Sequence, residues 1–210
     1  MPYGERIGDI LEHYFTNNEN LKSELRKISY EVNGVPFSFT SDNGVFSKDK
    51  VDFGSQNLVS VLLKNYNKKH VTILDVGCGY GFIGITLAKL LDSNVDMVDV
   101  NNRAIHLANM NIKNNKVDAK AFYSDAFDGV NKKYDLIVTN PPIRAGKVVV
   151  ENILLNSLSH LNDDGELWFV IRKDQGAKSA IKLMQNHCKV NLIEKCKGFY
   201  IIKAENNWQY

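Results

Sequence analysis

Asp75-Val76-Gly77-Cys78-Gly79-Tyr80-Gly81 follows directly on the apolar run Val71-Thr72-Ile73-Leu74, and the junction reads as a strand breaking into a glycine loop that opens a helix. Glycine turns tightly, adopts positive φ and lets the backbone approach a ligand with no Cβ in the way. The helix expected over residues 82–91 then directs its free N–H groups and positive dipole end at whatever anion the ligand carries. Two patterns overlap, Asp-x-Gly-x-Gly-x-Gly over residues 75–81 and Gly-x-Gly-x-x-Gly over residues 79–84. The second is the dinucleotide fingerprint, so the loop points to a nucleotide-like cofactor without saying which.

The residues further along separate the possibilities. A second apolar strand over residues 95–100 carries Asp99, about twenty residues past the glycines, where a carboxylate accepts both hydroxyls of a ribose. Ser124-Asp125-Ala126-Phe127 follows a third strand, and Asn140-Pro141-Pro142-Ile143 follows a fourth over residues 134–139. In this arrangement of acidic glycine loop, two further strand-end acids and Asn-Pro-Pro, the chain resembles the class I S-adenosylmethionine-dependent methyltransferases that act on exocyclic or amide nitrogen. The resemblance implies S-adenosyl-L-methionine as cofactor, held by Asp75, Gly77, Gly79, Gly81, Asp99, Val100, Asp125, Ala126 and Asn140. Asp75 is expected under the loop, orienting its amides and, through water, the methionine ammonium; Asp125 is expected beside the adenine. Asp96 reads as a solvated face residue.

Asn140, Pro141 and Pro142 are the catalytic candidates. An exocyclic amine on a base is a poor nucleophile because its lone pair is delocalised into the ring. A catalyst must draw it toward sp³ geometry in line with the methyl donor, and two acceptors suffice: the Asn140 side-chain oxygen and the Pro141 carbonyl. Positive charge developing on the nitrogen strengthens both bonds in the transition state. Proline has no N–H to compete, fixes its own φ and keeps the preceding residue out of the helical region. No perturbed general base is required, since the alkylated nitrogen is acidic enough to lose its proton afterwards.

Composition narrows the setting. The 210 residues suit one domain with a sizeable core and a short N-terminal extension. The longest apolar runs fall short of a membrane span, and Glu5, Asp9 and Glu12 do not fit a signal peptide, so the expectation is a cytoplasmic protein. Cys78, Cys188 and Cys196, like the five histidines, lack metal-ligand spacing, so neither a disulfide framework nor a metal site is expected. A net charge of +2 permits a nucleic-acid partner without arguing for one.

Residues 1 to about 24 read as a partly ordered lead-in. Alternating apolar residues around Asn33-Gly34 predict a type I′ hairpin, accessory to the main sheet. A helix is expected over residues 55–66, then strands and helices alternate: helix 102–115, strand 120–123, strand to 140, helix 147–161, strand 166–171, helix 177–187. Such alternation implies right-handed crossovers and a doubly wound, mostly parallel α/β sheet. The last two strands, 189–196 and 199–203, meet at Lys197-Gly198 and should pair antiparallel. The expected fold is therefore a seven-stranded, Rossmann-like sheet ending in an antiparallel hairpin. Residues 1–54 form an N-terminal extension packed on the main domain of residues 55–210.

Flanking residues sharpen the resemblance. Residues 39–47 (FTSDNGVFS), 51–55 (VDFGS), 140–147 (NPPIRAGK) and 198–203 (GFYIIK) are similar to bacterial single-domain relatives of the 16S ribosomal RNA guanine-N2 methyltransferases. This likeness implies that the Gly-Val-Phe-Ser segment roofs the pocket, and that Phe46, Ile143, Arg144 and Lys147 meet an RNA substrate, ribosomal RNA or a ribosomal subunit. Ile143 stands where many relatives carry an aromatic, so Phe46, Phe53 or Tyr80 becomes the candidate to stack on the base. Larger members carry a second, degenerate methyltransferase-like domain ahead of the catalytic one, and none is expected in these residues. Arg172, Lys173, Lys178, Lys48 and Lys50 add basic charge at the same end of the sheet. Adenine-N6 or protein glutamine methylation would use the same Asn-Pro-Pro logic. A nicotinamide oxidoreductase would leave Asn140-Pro141-Pro142 without a role, and a silent RNA-binding module would not need intact cofactor positions.

Overall fold

Asn33 and Gly34 both take left-handed φ, 51° and 77°, as a type I′ turn requires, and join β1 (Arg26–Val32) to β2 (Val35–Ser41) in antiparallel register. The computed structural model describes residues 22–206; most of the expected lead-in lies outside them. The hairpin forms a two-stranded sheet of its own. After it come α1 (Phe53–Asn65), β3 (Thr72–Val76), α2 (Phe82–Leu90), β4 (Asn94–Asp99), α3 (Asn102–Asn115), β5 (Ala119–Tyr123) and β6 (Tyr134–Thr139). The chain continues through α4 (Lys147–Ser159), β7 (Leu161–Arg172), α5 (Ala177–Gln185), β8 (Lys189–Cys196) and β9 (Phe199–Glu205).

Seven strands pair in the order β5-β4-β3-β6-β7-β9-β8. The first five are parallel, and β9 runs antiparallel to both β7 and β8. Because successive strand residues point to opposite faces, Ile73, Met97, Leu136 and Trp168 pack with Leu58, Leu62, Ile85 and Leu107 of α1, α2 and α3. Their neighbours Leu74, Val98, Ile137 and Phe169 pack on the other face with Ile153 and Leu154 of α4 and Met184 of α5. Helices cover both faces, which is why these strands read as continuous apolar runs. Among the described residues no helix is long and apolar enough to cross a membrane.

Several boundaries and one residue differ from the sequence expectation; β3 runs to Val76 rather than 74, α5 ends at Gln185 rather than 187, and β9 reaches Glu205 rather than 203. Helix α1 starts at Phe53, with Asp52 as N-cap accepting from the Ser55 N–H. Strand β7 begins five residues early, at Leu161 opposite Tyr134, and is bulged before Leu136. Helix α4 stops at Ser159 rather than running to 161. Asp96 is not solvated: it is 2% exposed, because β4 is an interior strand covered on both sides. It accepts the Tyr134 hydroxyl at 2.7 Å and pairs with Lys132 at 2.8 Å.

The hairpin is held by a helix acting as a neighbouring strand. Asn111 of α3 accepts the Thr40 N–H at 2.7 Å and donates to the Thr40 carbonyl at 2.9 Å. One turn later Asn115 does the same for Ser38, at 3.1 and 2.8 Å. Residues four apart share a helix face and residues two apart share a strand edge, so the two periodicities mesh. Asn111 Nδ2 also donates to the Tyr80 carbonyl in the glycine loop, at 2.8 Å. Replacing Asn111 by Ala strands these buried backbone groups, and the expected loss is about 1–3 kcal/mol. Urea denaturation checks the loss, and faster hydrogen exchange of the Thr40 amide locates it.

Candidate active site

One register row brings the strand-end residues together. Val76 of β3 pairs with Val98 of β4 and with Thr139 of β6, while Asp99 pairs with Tyr123 of β5. Gly77, Asp99 and Asn140 therefore emerge side by side where β3 and β6 part, the switch point at which α/β folds bind ligands. The Thr139 hydroxyl, donating to the Val76 carbonyl at 2.8 Å, ties the two strand ends.

Within the loop, Gly77, Gly79 and Gly81 have φ of 73°, 55° and 94°, values that side-chain-bearing residues rarely adopt. The N–H groups of Gly77 and Cys78 both turn back to the Val98 carbonyl, at 2.9 and 3.0 Å. The Gly79 N–H donates to Asp99 Oδ2 at 2.9 Å, and the Asn101 N–H to Asp99 Oδ1 at 2.9 Å. Asp99 thus anchors the loop and keeps further lone pairs for ligand hydroxyls. Burial raises its carboxyl above the ordinary value, against the N–H groups of Asn101, Gly79 and Val100.

Asp75 is fully buried. Its Oδ2 accepts the Gly84 N–H in the first turn of α2 at 2.9 Å, so the amide it orients belongs to the helix rather than to the loop. Gly84 is a packing glycine: a Cβ there would stand 2.4 Å from the Met97 sulfur and 3.1 Å from Asp75 Oδ2. Asp75 Oδ1 is buried with no hydrogen-bond partner. Burial pushes the Asp75 carboxyl up to about 7, the Gly84 N–H opposing and the Asp99 charge adding to the rise. A buried acceptor left open beneath a glycine cradle, with a ribose-type acid beside it, fits a cofactor carrying both hydroxyls and a positive charge. Burial also raises the Cys78 thiol, which makes it a packing residue rather than a nucleophile.

Asn140 is partly exposed and its side-chain nitrogen is engaged: Nδ2 donates to Asp52 Oδ1 at 3.2 Å and to Ser55 Oγ at 3.1 Å. Pro141 is buried and Pro142 half-buried. Residues 42–55 cross above the strand ends. At one end the Gly44 carbonyl accepts from Asn101 at 3.0 Å and the Asn43 carbonyl from Arg103 at 2.8 Å; at the other stand Asp52 and Ser55. This segment carries Phe46, which is 65% exposed.

The remaining candidates are less gathered. Asp125 is exposed just past β5, where the Ser124 N–H donates to the Asp99 carbonyl at 3.1 Å, and Ala126 takes a φ of 49°. Ile143 opens a 3₁₀ turn (Ile143–Ala145) and leans on the second core cluster. Arg144 in that turn is exposed, while Lys147 pairs with Glu151 at 3.5 Å. Tyr80 is 5% exposed and packs on Phe39, and Phe53 packs on Phe199 at 5.6 Å. Among the described residues no His, Cys, Asp and Glu group could hold a metal.

Asp52, Ser55, Asn101 and Asn111 were not singled out from sequence. Asp52 three residues ahead of Ser55 is a helix-start signal, and two asparagines four apart on an apolar helix face oppose helix propensity and so invite a tertiary explanation.

The Asp75 carboxyl gives a pH test. An acid whose folded pKa lies near 7, against 3.8 ordinarily, contributes stability that is full below about pH 4 and lost as pH rises to about 7. Asp75→Asn retains an acceptor for Gly84 and removes the titration. The wild-type protein should lose stability relative to this variant between those limits and run parallel above them, as measured by urea denaturation across pH.

Comparison with known proteins follows the same outline. Residues 36–203 match the family model described as methyltransferase small domain. The chain is 46% identical over 201 residues to protein YbxB of Bacillus subtilis, covering 92% of this chain and 98% of that one. It is 36% identical over 130 residues to ribosomal RNA small subunit methyltransferase C of Haemophilus ducreyi, covering 60% of this chain and 39% of the relative. The match to the Colwellia psychrerythraea protein of that name is 29% identical over 210 residues, covering 96% and 54%. The chain thus spans about half or less of these ribosomal RNA methyltransferases' length. Among solved structures, the T. thermophilus 16S rRNA N2 G1207 methyltransferase, in complex with AdoMet and guanosine, superposes with a TM-score of 0.80 at 23% identity, covering 89% of this chain and 52% of that one. The match reaches from β2 to β9 and takes in the glycine loop, the strand-end acids and Asn-Pro-Pro; this chain belongs to the methyltransferase small domain family, an S-adenosylmethionine-dependent class of enzymes.

Proposed function

We propose that this enzyme methylates the exocyclic N2 amine of a guanine in ribosomal RNA. The observation that carries the proposal is the position of Asn140, one register step from the glycine loop, with its side-chain nitrogen held from behind. Its oxygen is left as the free end of the amide. S-adenosylmethionine supplies an electrophilic sulfonium methyl when bound. Asp75, the loop glycines and Asp99 would hold it, with Val100, Asp125 and Ala126 along the adenine side. Asn140 Oδ1 and the Pro141 carbonyl take the two N–H groups of the amine and grow stronger as acceptors while positive charge develops on it. The surplus proton then leaves to water.

The choice of an RNA guanine is supported by the ribosomal RNA methyltransferases among the relatives and by the fold shared with an enzyme crystallised with guanosine. Arg144, exposed in the turn that follows Asn140, suits a phosphate. Phe46, standing out from the crossing segment, suits a base face. Lys147 already has Glu151 as partner and would contribute less. Ile143, half-committed to the core, would give a base only an aliphatic edge.

Methyl-transfer assays on small ribosomal subunits and naked 16S rRNA from a strain lacking the gene, followed by nucleoside mass spectrometry, test the proposal. N2-methylguanosine is the expected product; N6-methyladenosine, or label in protein, would redirect it. Asp99→Ala removes charge-assisted bonds worth roughly 1.5–3 kcal/mol each, and an unchanged dissociation constant for S-adenosylmethionine in calorimetry would remove its ribose role. Asn140→Ala should lower kcat about 10²–10³-fold with RNA affinity unchanged. Arg144→Ala should instead raise KM for RNA and flatten its salt dependence, with kcat retained.

A further inference from the structure

We infer that Asp52 and Ser55 are positioning residues for methyl transfer: they lock the Asn140 amide with its nitrogen away from the substrate and its oxygen toward the amine. The inference rests on the acceptor role proposed for Asn140. An asparagine amide is nearly symmetric in shape, so half a turn about its last bond exchanges an acceptor for a donor. Only one of the two orientations serves the reaction. A carboxylate offers acceptors and nothing else. Asp52 Oδ1, 3.2 Å from Asn140 Nδ2, therefore gains a charge-assisted bond in that orientation and faces an oxygen in the other. Ser55 Oγ at 3.1 Å completes the pair of acceptors around the same nitrogen.

Both residues sit on a rigid support. Asp52 Oδ1 accepts the Ser55 N–H at 3.1 Å, and the Asp52 carbonyl accepts the Gln56 N–H at 3.1 Å, so the lock is built on the first turn of a helix. Gly54, between them, leaves no room for a side chain: a Cβ there would lie 2.9 Å from the Phe199 ring and 3.0 Å from Asp52 Oδ1. Helix start, carboxylate and β9 are thereby packed as one block. The same carboxylate caps α1 and orients the catalytic loop, although the two are separated by 88 residues in sequence.

Asp52→Ser separates the two tasks, since serine caps a helix as well as aspartate does but is too short to replace the carboxylate at Asn140. With S-adenosylmethionine and small ribosomal subunits from a strain lacking the gene, this variant should lose roughly 10–100-fold in kcat, as misplacement of a reacting group does. KM for both substrates and the melting temperature should stay near wild type. Asp52→Asn, which still offers an oxygen but tolerates either amide orientation, should lose less. In the Asn140→Ala background Asp52→Ser should add nothing, because the group it orients is gone. Should Asp52→Ser melt early, Asp52→Asn, which caps a helix as well as aspartate does, carries the same cycle with its smaller loss. Wild-type kcat in Asp52→Ser while Asn140→Ala is slow overturns the inference alone, and so does a loss that adds fully to that of Asn140→Ala. Wild-type turnover in Asn140→Ala overturns the catalytic role itself and this inference with it.

Discussion

The site exists because the chain leaves β3 in one direction and comes back on its other side. From β3 it runs outward to β4 and β5, then returns as β6 against the opposite edge of β3. The connections leaving β3 and β6 turn to opposite faces of the sheet, toward α2 and α4, and both strand ends deliver polar residues into the gap between them. The register of Val76 with Val98 and Thr139 does the alignment, since a shift of one residue would turn every side chain to the other face. The two apolar layers above and below enforce that register, each fully buried large side chain adding roughly 1.5–3 kcal/mol.

Over this crevice lies a second device, the hairpin and the segment that follows it. Helix α3 serves as the holder: Asn111 and Asn115 pair with β2, Arg103 and Asn101 take carbonyls of residues 43 and 44, and Asp42 is drawn to Arg103 at 3.6 Å. Burial alone would raise the Asp42 carboxyl, but hydrogen bonds from Glu24, Ser23 and Asn43 and the Arg103 charge hold it below its ordinary value. The crossing segment therefore reaches Asn140 already anchored at its far end. Asn111, bonded to both Thr40 and Tyr80, links roof and glycine loop through one side chain.

Two buried acids of the same sheet illustrate how structure and function differ in their electrostatics. Asp96 is compensated in place by charge: its Oδ2 accepts a tyrosine hydroxyl and meets Lys132, while its Oδ1, which has no hydrogen-bond partner, still faces the Lys120 ammonium at 3.7 Å. Asp75 is left with one oxygen unpartnered and a carboxyl raised toward neutrality. An uncompensated buried acid costs stability, so its retention at the strand end beside the glycine loop points to a partner that arrives from outside.

Much of this was legible in the sequence, because the signals are local. Asp-x-Gly-x-Gly-x-Gly needs only its own backbone to announce a cradle, Asn33-Gly34 its own φ values to announce a hairpin, and the alternation of apolar periods to announce a parallel sheet. Helix α3 fell where expected, and Asn140, Asp99 and Asp75 were found because each stands at or just past the C-terminal end of a strand. What the chain alone could not reveal depends on contacts between distant residues. Asp96 sits in an apolar strand whose neighbours decide its burial. Ile143 and Phe46 exchange prominence because one leans on a core and the other stands 65% exposed. The partnership of Asp52 with Asn140 joins two segments brought within 3.2 Å only by the return of β6 beside β3. Local chemistry determined the elements and the cofactor class; packing decided which side chain faces which, because hydrogen bonds between remote residues have no period in the sequence.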